Sequence, residues 1–188
     1  MSSDRSVSPR PDLRIERLPY ADPVVQLLVE EVQQEYVVRY GGPDGAPMED
    51  THFDPPSGAF FVAFLRDEPV ATGAWRTKED VDALGGTRVA EIKRMYVRAA
   101  VRRTGVGRVV LAHLEASAAA AGADVLVLET GLGQPEALQL YESSGYVAVQ
   151  PFGFYKGYST ARHLGKPLRP LPGQDQQVTP EPEAPARR

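Results

Sequence analysis

"EIKRMYVRAAVRRTGVGR" occupies residues 91–108, and its two ends call for different structures. With the two residues before it, the start reads "VAEIKRMYV" (89–97), a strand. After it, Val106, Val110, Leu114, Ala118 and Ala121 recur at spacings of three and four up to Gly122, the pattern of a helix. Between them lie Arg102, Arg103, Thr104, Gly105, Val106, Gly107 and Arg108. The first backbone N–H groups of a helix have no partner inside it, and the helix dipole adds positive charge at that end. Glycines let an anion approach the main chain, and arginines add charge. A strand handing over to a helix through this turn is built like a phosphate site.

The rest of the chain alternates around this unit. "LRIERL" (13–18) alternates apolar and charged residues and predicts a strand. Asp22 and Pro23 predict a helix start, Gly41-Gly42 its stop, and Val24, Leu27, Leu28, Val32 and Tyr36 its apolar face. Residues 41–58 hold Pro43, Pro47, Pro55 and Pro56 and read as a long irregular loop, a type more often functional than idle. "AFFVAFL" (59–65) and "PVATGAWRT" (69–77) flank "RDE" and predict a hairpin. "DVLVLET" (124–130) is apolar on both faces, as a buried and parallel strand would be. "QPEALQLYESSG" (134–145) predicts a helix, and "YVAVQ" (146–150) and "STARHLGK" (159–166) two last strands. The order β-α-β-β-β-α-β-α-β-β gives an α/β fold, a mixed sheet flanked by helices, in one domain over 12–168. Residues 1–11 and the Pro/Gln/Glu-rich 169–188 are expected to be disordered tails.

Composition removes several function classes. The chain has 188 residues, 42% hydrophobic and 24% charged, with a formal charge of −4. That is a globular balance, and it weighs against a general nucleic-acid binder, which would be basic. The absence of cysteine excludes disulfides, a thiolate nucleophile and Cys-ligated metals. His52, His113 and His163 stand too far apart for a helical metal motif, so no metal is expected. No apolar run approaches the ~20 residues that cross a bilayer, and residues 1–12 lack the apolar stretch of a secretory signal. A cytoplasmic monomer or homodimer with no membrane or nucleic-acid partner is the expectation.

Three readings of the glycine turn compete. A nucleoside-triphosphate loop would need Lys-Ser/Thr after the glycines, and none follows. A dinucleotide fingerprint needs a third glycine where Val110 stands, although Glu129 lies near the distance expected of its ribose acid, so an oxidoreductase stays open. The third pattern is Arg/Gln-x-x-Gly-x-Gly/Ala, met by Arg102, Gly105 and Gly107. Here the chain resembles the GNAT superfamily of acetyl-CoA-dependent N-acetyltransferases, in which this turn cradles the pyrophosphate of coenzyme A. "EIKRMYV" is similar to the family's fourth strand, and "ALQLYESSGY" (137–146) to its second signature, a helix that carries a tyrosine and ends at Gly-Tyr.

The resemblance implies an acyl-CoA N-acyltransferase-like fold with a mostly antiparallel central sheet. It implies acetyl-CoA as cosubstrate, Tyr141 as the acid for the leaving thiolate, and main-chain contacts from Met95, Tyr96 and Val97 to the pantetheine arm. Many members carry Asn seven residues before that tyrosine; this chain has Gln134, the same amide on a longer arm.

Aminolysis of a thioester also needs a neutral amine. A primary amine with a pKa of about 10.4 is uncharged in on the order of one molecule in a thousand at neutral pH. A carboxylate that takes its proton is therefore useful, and Glu91 is the candidate. Strand alternation places Glu91, Lys93, Met95 and Val97 on one face, unless a bulge resets the register. The competing role for Glu91 is an ion pair with a neighbouring Arg or Lys. Tyr36, Arg39, Tyr40, Arg76 and Phe152 are candidates for the acceptor pocket, with "PFGFY" (151–155) as its opposite wall. Acids in the 39–58 loop would suit a cationic acceptor, and Arg39 or Arg76 one that bears a carboxylate. The expected reaction is direct acetyl transfer to a primary amine of a small molecule, or of a peptide; the alternative is a non-catalytic acyl-CoA sensor.

Overall fold

A computed structural model describes residues 12–169. The elements are β1 (Leu13–Arg17), α1 (Pro23–Tyr40), β2 (Gly58–Leu65), β3 (Glu68–Thr77), β4 (Val89–Val97), α2 (Val106–Ala120), β5 (Val125–Gly131), α3 (Pro135–Glu142), β6 (Val147–Ala148) and β7 (Ala161–Pro167), with short 3-10 turns at Asp50–Phe53 and Ala99–Val101. They form one seven-stranded sheet in the order β1-β2-β3-β4-β5-β7-β6. Every neighbouring pair is antiparallel except β4 and β5. The predicted element order and the mixed, mostly antiparallel sheet are therefore observed. The expected tails, 1–11 and 170–188, lie outside the described residues. Arg169, assigned to the second tail, is described and donates to the Ala123 carbonyl at 3.0 Å. Among the described residues no helix is long and apolar enough to cross a membrane.

The helix signals act as read. The Asp22 carboxylate accepts from Val24 N at 2.8 Å, Pro23 opens α1, and Gly41 closes it in the left-handed region at φ 80°. The face of α1 differs by a small rotation: Val25, Leu28, Val29 and Val32 are buried, while Leu27 is exposed. Val25, Leu28 and Val29 pack on Phe60, Val62, Phe64 and Ala74 of the sheet. The opposite sheet face, with Phe61, Trp75, Ile92, Leu126 and Leu128, takes Val106, Val110, Leu111, Leu114 and Ala118 of α2. Ala121 lies beyond the helix and is exposed.

The one-face expectation for Glu91, Lys93, Met95 and Val97 is corrected by a bulge. Ala74 faces Lys93 but Thr72 faces Tyr96, so Gly73 alone opposes Arg94 and Met95. Arg94 takes φ 52°, and its carbonyl accepts from the Thr72 hydroxyl at 2.7 Å. Met95 and Val97 pack on the α2 side, and Tyr96 on the α1 side. Glu91 and Lys93 pair with groups across from them. A Cβ on Gly73 would sit 2.8 Å from Leu114 Cδ1, so the bulge needs glycine opposite it.

Asp124 fixes where β5 begins. Its carboxylate accepts from Thr87 N, Thr87 Oγ1 and Arg88 N at 3.0–3.1 Å, which ties the entry of β4 to that of β5. Burial alone would raise this carboxyl, but those donors outweigh it and hold it below its ordinary value. A depressed folded-state pKa gives stability that is fully present above the unfolded value of about 3.9 and is lost as pH falls through the folded one. Asp124→Asn turns an NH2 toward donors and should cost about 1–3 kcal/mol by chemical denaturation at pH 7. The gap to wild type should narrow below about pH 4. A constant gap between pH 7 and pH 3 would refute this account of the latch.

Candidate functional site

The parallel pairing of β4 and β5 covers Val89↔Val125, Ala90↔Leu126 and Glu91↔Val127, and then stops. β5 continues against β7 to Gly131, and β4 continues against β3 to Val97. The two strands part, and the gap opens a cavity of about 530 Å³. Ile92–Met95 and Leu128–Gly131 line its two edges, with Gln134, Ala137 and Tyr141 from α3 and Tyr36 and Tyr40 from α1. Residues 42–45 and Phe154, Tyr155 and Tyr158 complete the wall.

Tyr141 is 5% exposed and stacks edge-on with Tyr146, ring centroids 5.6 Å apart. Burial, and then the nearby Tyr36 phenol, push its own phenol well above the ordinary tyrosine value. The phenol therefore stays protonated at neutral pH. Burial also pushes Tyr36 up to about 12, against the opposing effect of the Arg94 charge.

The turn at 102–108 stands at the N-terminus of α2. Gly105 caps the helix at φ 91°, and among the described residues no side-chain cap bond is made there. Open space surrounds a Cβ built on Gly105. One built on Gly107 would touch Leu140 and Val97 at 3.5 Å, so this glycine leaves room between α2 and α3. Arg103, Thr104 and Gly105 are exposed, and Val106 is buried. Arg102 donates to the Val97 carbonyl at 2.8 Å and pairs with Glu35 of α1. Arg108 turns away to α3 and donates to Ser143 Oγ at 2.8 Å.

The acceptor-side candidates divide. Tyr36 and Tyr40 line the cavity. Arg39 does not: it pairs with Glu35 and Glu136 and donates to the Gly133 carbonyl at 2.7 Å. Phe152 is buried in a core cluster with Val89, Val125 and Val127, and Phe154 and Tyr155 take the wall expected of it. Arg76 lies on a second, more open hollow, where it pairs with Glu91 at 2.9 Å and meets His52 Nδ1 at 2.8 Å.

Glu91 lines that hollow too and is 1% exposed. Lys93 Nζ sits 2.8 Å from its Oε1 as a charge contact without hydrogen-bond alignment. Lys93 also reaches Glu129 at 3.3 Å, and Glu129 is held in turn by Tyr155 N and His163. Lys93 and Glu129 line both the cavity and the hollow, so a file of charges runs Arg76–Glu91–Lys93–Glu129 between them.

Sequence reasoning missed Arg94 and Asp44, and the bond that Tyr155 makes to Asp44. Arg94 Nη1 donates to Asp44 Oδ2 at 2.9 Å, and the Tyr155 hydroxyl donates to Asp44 Oδ1 at 2.6 Å. The contact joins residues 111 positions apart, and no local pattern marks it.

Comparison with known proteins meets this geometry. The model of the Acetyltransferase (GNAT) family matches residues 26–146. The chain is 35% identical over 156 residues to the IAA acetyltransferase of Azospirillum brasilense, across 80% of this chain and 94% of that protein. A candidate acyl-CoA N-acyltransferase from Klebsiella pneumoniae superposes with a TM-score of 0.66 at 26% identity, over 84% of this chain and 98% of that one. A GNAT family acetyltransferase from Elizabethkingia anophelis, solved with acetyl-CoA bound, has the same fold, with a TM-score of 0.56 at 17% identity over 84% and 99% of the two chains. With its family span covering β4, the glycine turn and the helix of Tyr141, the chain belongs to the GNAT family and is an acetyl-CoA-dependent N-acetyltransferase.

Proposed function

We propose that this enzyme transfers acetyl from acetyl-CoA to a primary amine of a small molecule, directly, with both substrates bound. The observation that carries the reading is the parting of β4 from β5 beside an uncapped helix N-terminus. The main chain at Val106, Gly107 and Arg108 offers N–H groups suited to the CoA pyrophosphate, with Arg102 and Arg103 beside them. The gap left by Gly107 suits the pantetheine arm, which would pair with the free edge of β4 at Met95 as an added strand. The Arg94 carbonyl is taken by Thr72 and the Val97 carbonyl by Arg102, so Met95 and Tyr96 are the better placed of the expected contacts. Gln134, on the cavity wall, would reach the arm from the α3 side.

In the transfer, the neutral amine nitrogen attacks the thioester carbonyl carbon. The C–N bond forms, the C–S bond breaks, and sulfur leaves as a thiolate that takes the Tyr141 proton. The amine proton must leave on the acceptor side. Glu129 faces the cavity there and would take that proton, while Glu91 lies behind it and meets Lys93 by a charge contact alone, so Glu91 would act by holding Lys93 beside Glu129 rather than by receiving the proton. The absence of cysteine is consistent with a mechanism without an acyl-enzyme. A cytoplasmic location follows from this dependence on acetyl-CoA.

Two variants test the reading. Tyr141→Phe should lower kcat by about 10²–10⁴-fold, with acetyl-CoA affinity nearly unchanged. A kcat within twofold of wild type, read by thiol release against an amine panel, would remove Tyr141 as the acid for the leaving thiolate. Gly107→Ala removes a helix glycine, and its methyl meets only ordinary contacts, so the fold should be as stable or more so. The same methyl enters the proposed cofactor path and should weaken acetyl-CoA about tenfold, roughly 1.4 kcal/mol by calorimetry. A stable variant with wild-type affinity would move the cofactor elsewhere.

A further inference from the structure

We propose that the acceptor is an amino-carboxylate with an apolar or aromatic body, whose carboxylate pairs with Arg94; this rests on the acetyl-transfer reading above and names the substrate class of that site. Arg94 lines the cavity and is 6% exposed. One end of its guanidinium, Nη1, is on Asp44. Nε is buried and has no partner. Nε and Nη2 form the side-on edge of a guanidinium, whose two parallel N–H groups match a carboxylate. Leaving such a donor dry and unpaired is costly, and a ligand that brings an acceptor atom removes the cost.

The cavity's acids have no such need. Asp44 accepts from Arg94, Tyr155 Oη and Ala46 N. Glu129 is met by Lys93, His163 and Tyr155 N. Among the described residues lining the cavity, Arg94 Nε is the buried side-chain polar atom without a partner. The other two cations considered for an anionic acceptor, Arg39 and Arg76, do not line this cavity.

Backbone geometry supports a functional role. Arg94 holds φ 52°, a conformation that a bulky residue adopts at a cost and that clusters at functional sites. Through the bulge it follows Lys93 onto the acceptor side instead of alternating away. Tyr36, Phe154, Tyr155 and Tyr158 present ring faces and edges around that side, so the body of the acceptor should be apolar or aromatic. The carboxylate is not consumed: its place on Arg94 aims the amine at the acetyl carbon.

The test is a matched set of acceptors, phenylalanine, phenylalaninamide and phenethylamine, compared by kcat/KM corrected for the neutral-amine fraction of each. Wild type should favour the amino acid by at least about tenfold over both others, the scale of a charge-assisted pair in a dry site. Arg94→Lys keeps the charge and loses the fork, and Arg94→Gln loses both; each should bring the ratio toward one. No preference in wild type overturns the proposal even if both variants fail to fold. An equal loss on all three acceptors in a folded variant also overturns it, and moves Arg94 to the thioester carbonyl. Transfer to phenethylamine without a carboxylate preference sinks this inference alone. Failure to bind acetyl-CoA by calorimetry sinks the acetyl-transfer reading and this one with it.

Discussion

Everything at the site depends on a sheet left incomplete. β4 and β5 are paired over three positions and then separate, although each continues for several residues against its outer neighbour. A buried strand edge with unused N–H and C=O groups is normally closed by a partner strand. Here the surroundings hold it open. Asp124 pins the paired end, the bulge at Arg94 changes the direction of β4 just past the last pair, and the helix of Tyr141 stands beside the gap. An extended ligand can complete such a sheet with main-chain bonds of its own, which explains why one opening can serve a cofactor arm on one side and an acceptor on the other.

Around this opening the mobile-looking charges are tied to one another. Glu35 takes both Arg102 and Arg39, and Arg39 also takes Glu136, so the glycine turn, α1 and α3 share one ionic knot. Such partly exposed pairs contribute little, on the order of 0–1 kcal/mol each. A pyrophosphate with two or more charges is a better partner for Arg102 than one carboxylate shared with Arg39. The knot can therefore keep the turn ordered before the cofactor binds and give up Arg102 at small cost. Arg39 would remain on Glu35 and Glu136 and go on joining α1 to α3.

The fold was legible because its signals are local. Asp22-Pro23 and Gly41 bracket α1, and an apolar run identified β5 as the parallel strand. The turn at 102–108 was legible for the same reason, since cap, glycines and arginines lie within seven residues. Errors began where a contact depends on tertiary placement. The face of α1 was misjudged by about one residue because Val25 and Val29 point to the sheet where Leu27 does not. The wall expected of 151–155 is only partly so: Phe152 is buried in the core, and Gly153, at φ 70°, turns the chain after it and leaves the wall to Phe154 and Tyr155. Arg94 was invisible because its importance comes from a bulge that alternation does not encode and from an aspartate fifty positions away. Glu91 was singled out by its chemistry, and the ion pair weighed against that role is what its carboxylate makes.

The file Arg76–Glu91–Lys93–Glu129 bears on why a thioester site tolerates so much buried charge. Two cations and two carboxylates alternate, so the file is formally neutral, and each charge lies against one of opposite sign. Removing one member would leave a buried neighbour with one fewer partner of opposite sign, which favours keeping all four together. A neutral file sets up little field in the cavity until a proton enters it. If the amine gives its proton to Glu129, as proposed, the change in charge is balanced by the neighbouring members of the file, which reach the open hollow. The reacting nitrogen can then be deprotonated without solvent entering the gap between β4 and β5. That separation matters because water admitted to the gap would compete with the amine for the acetyl carbon.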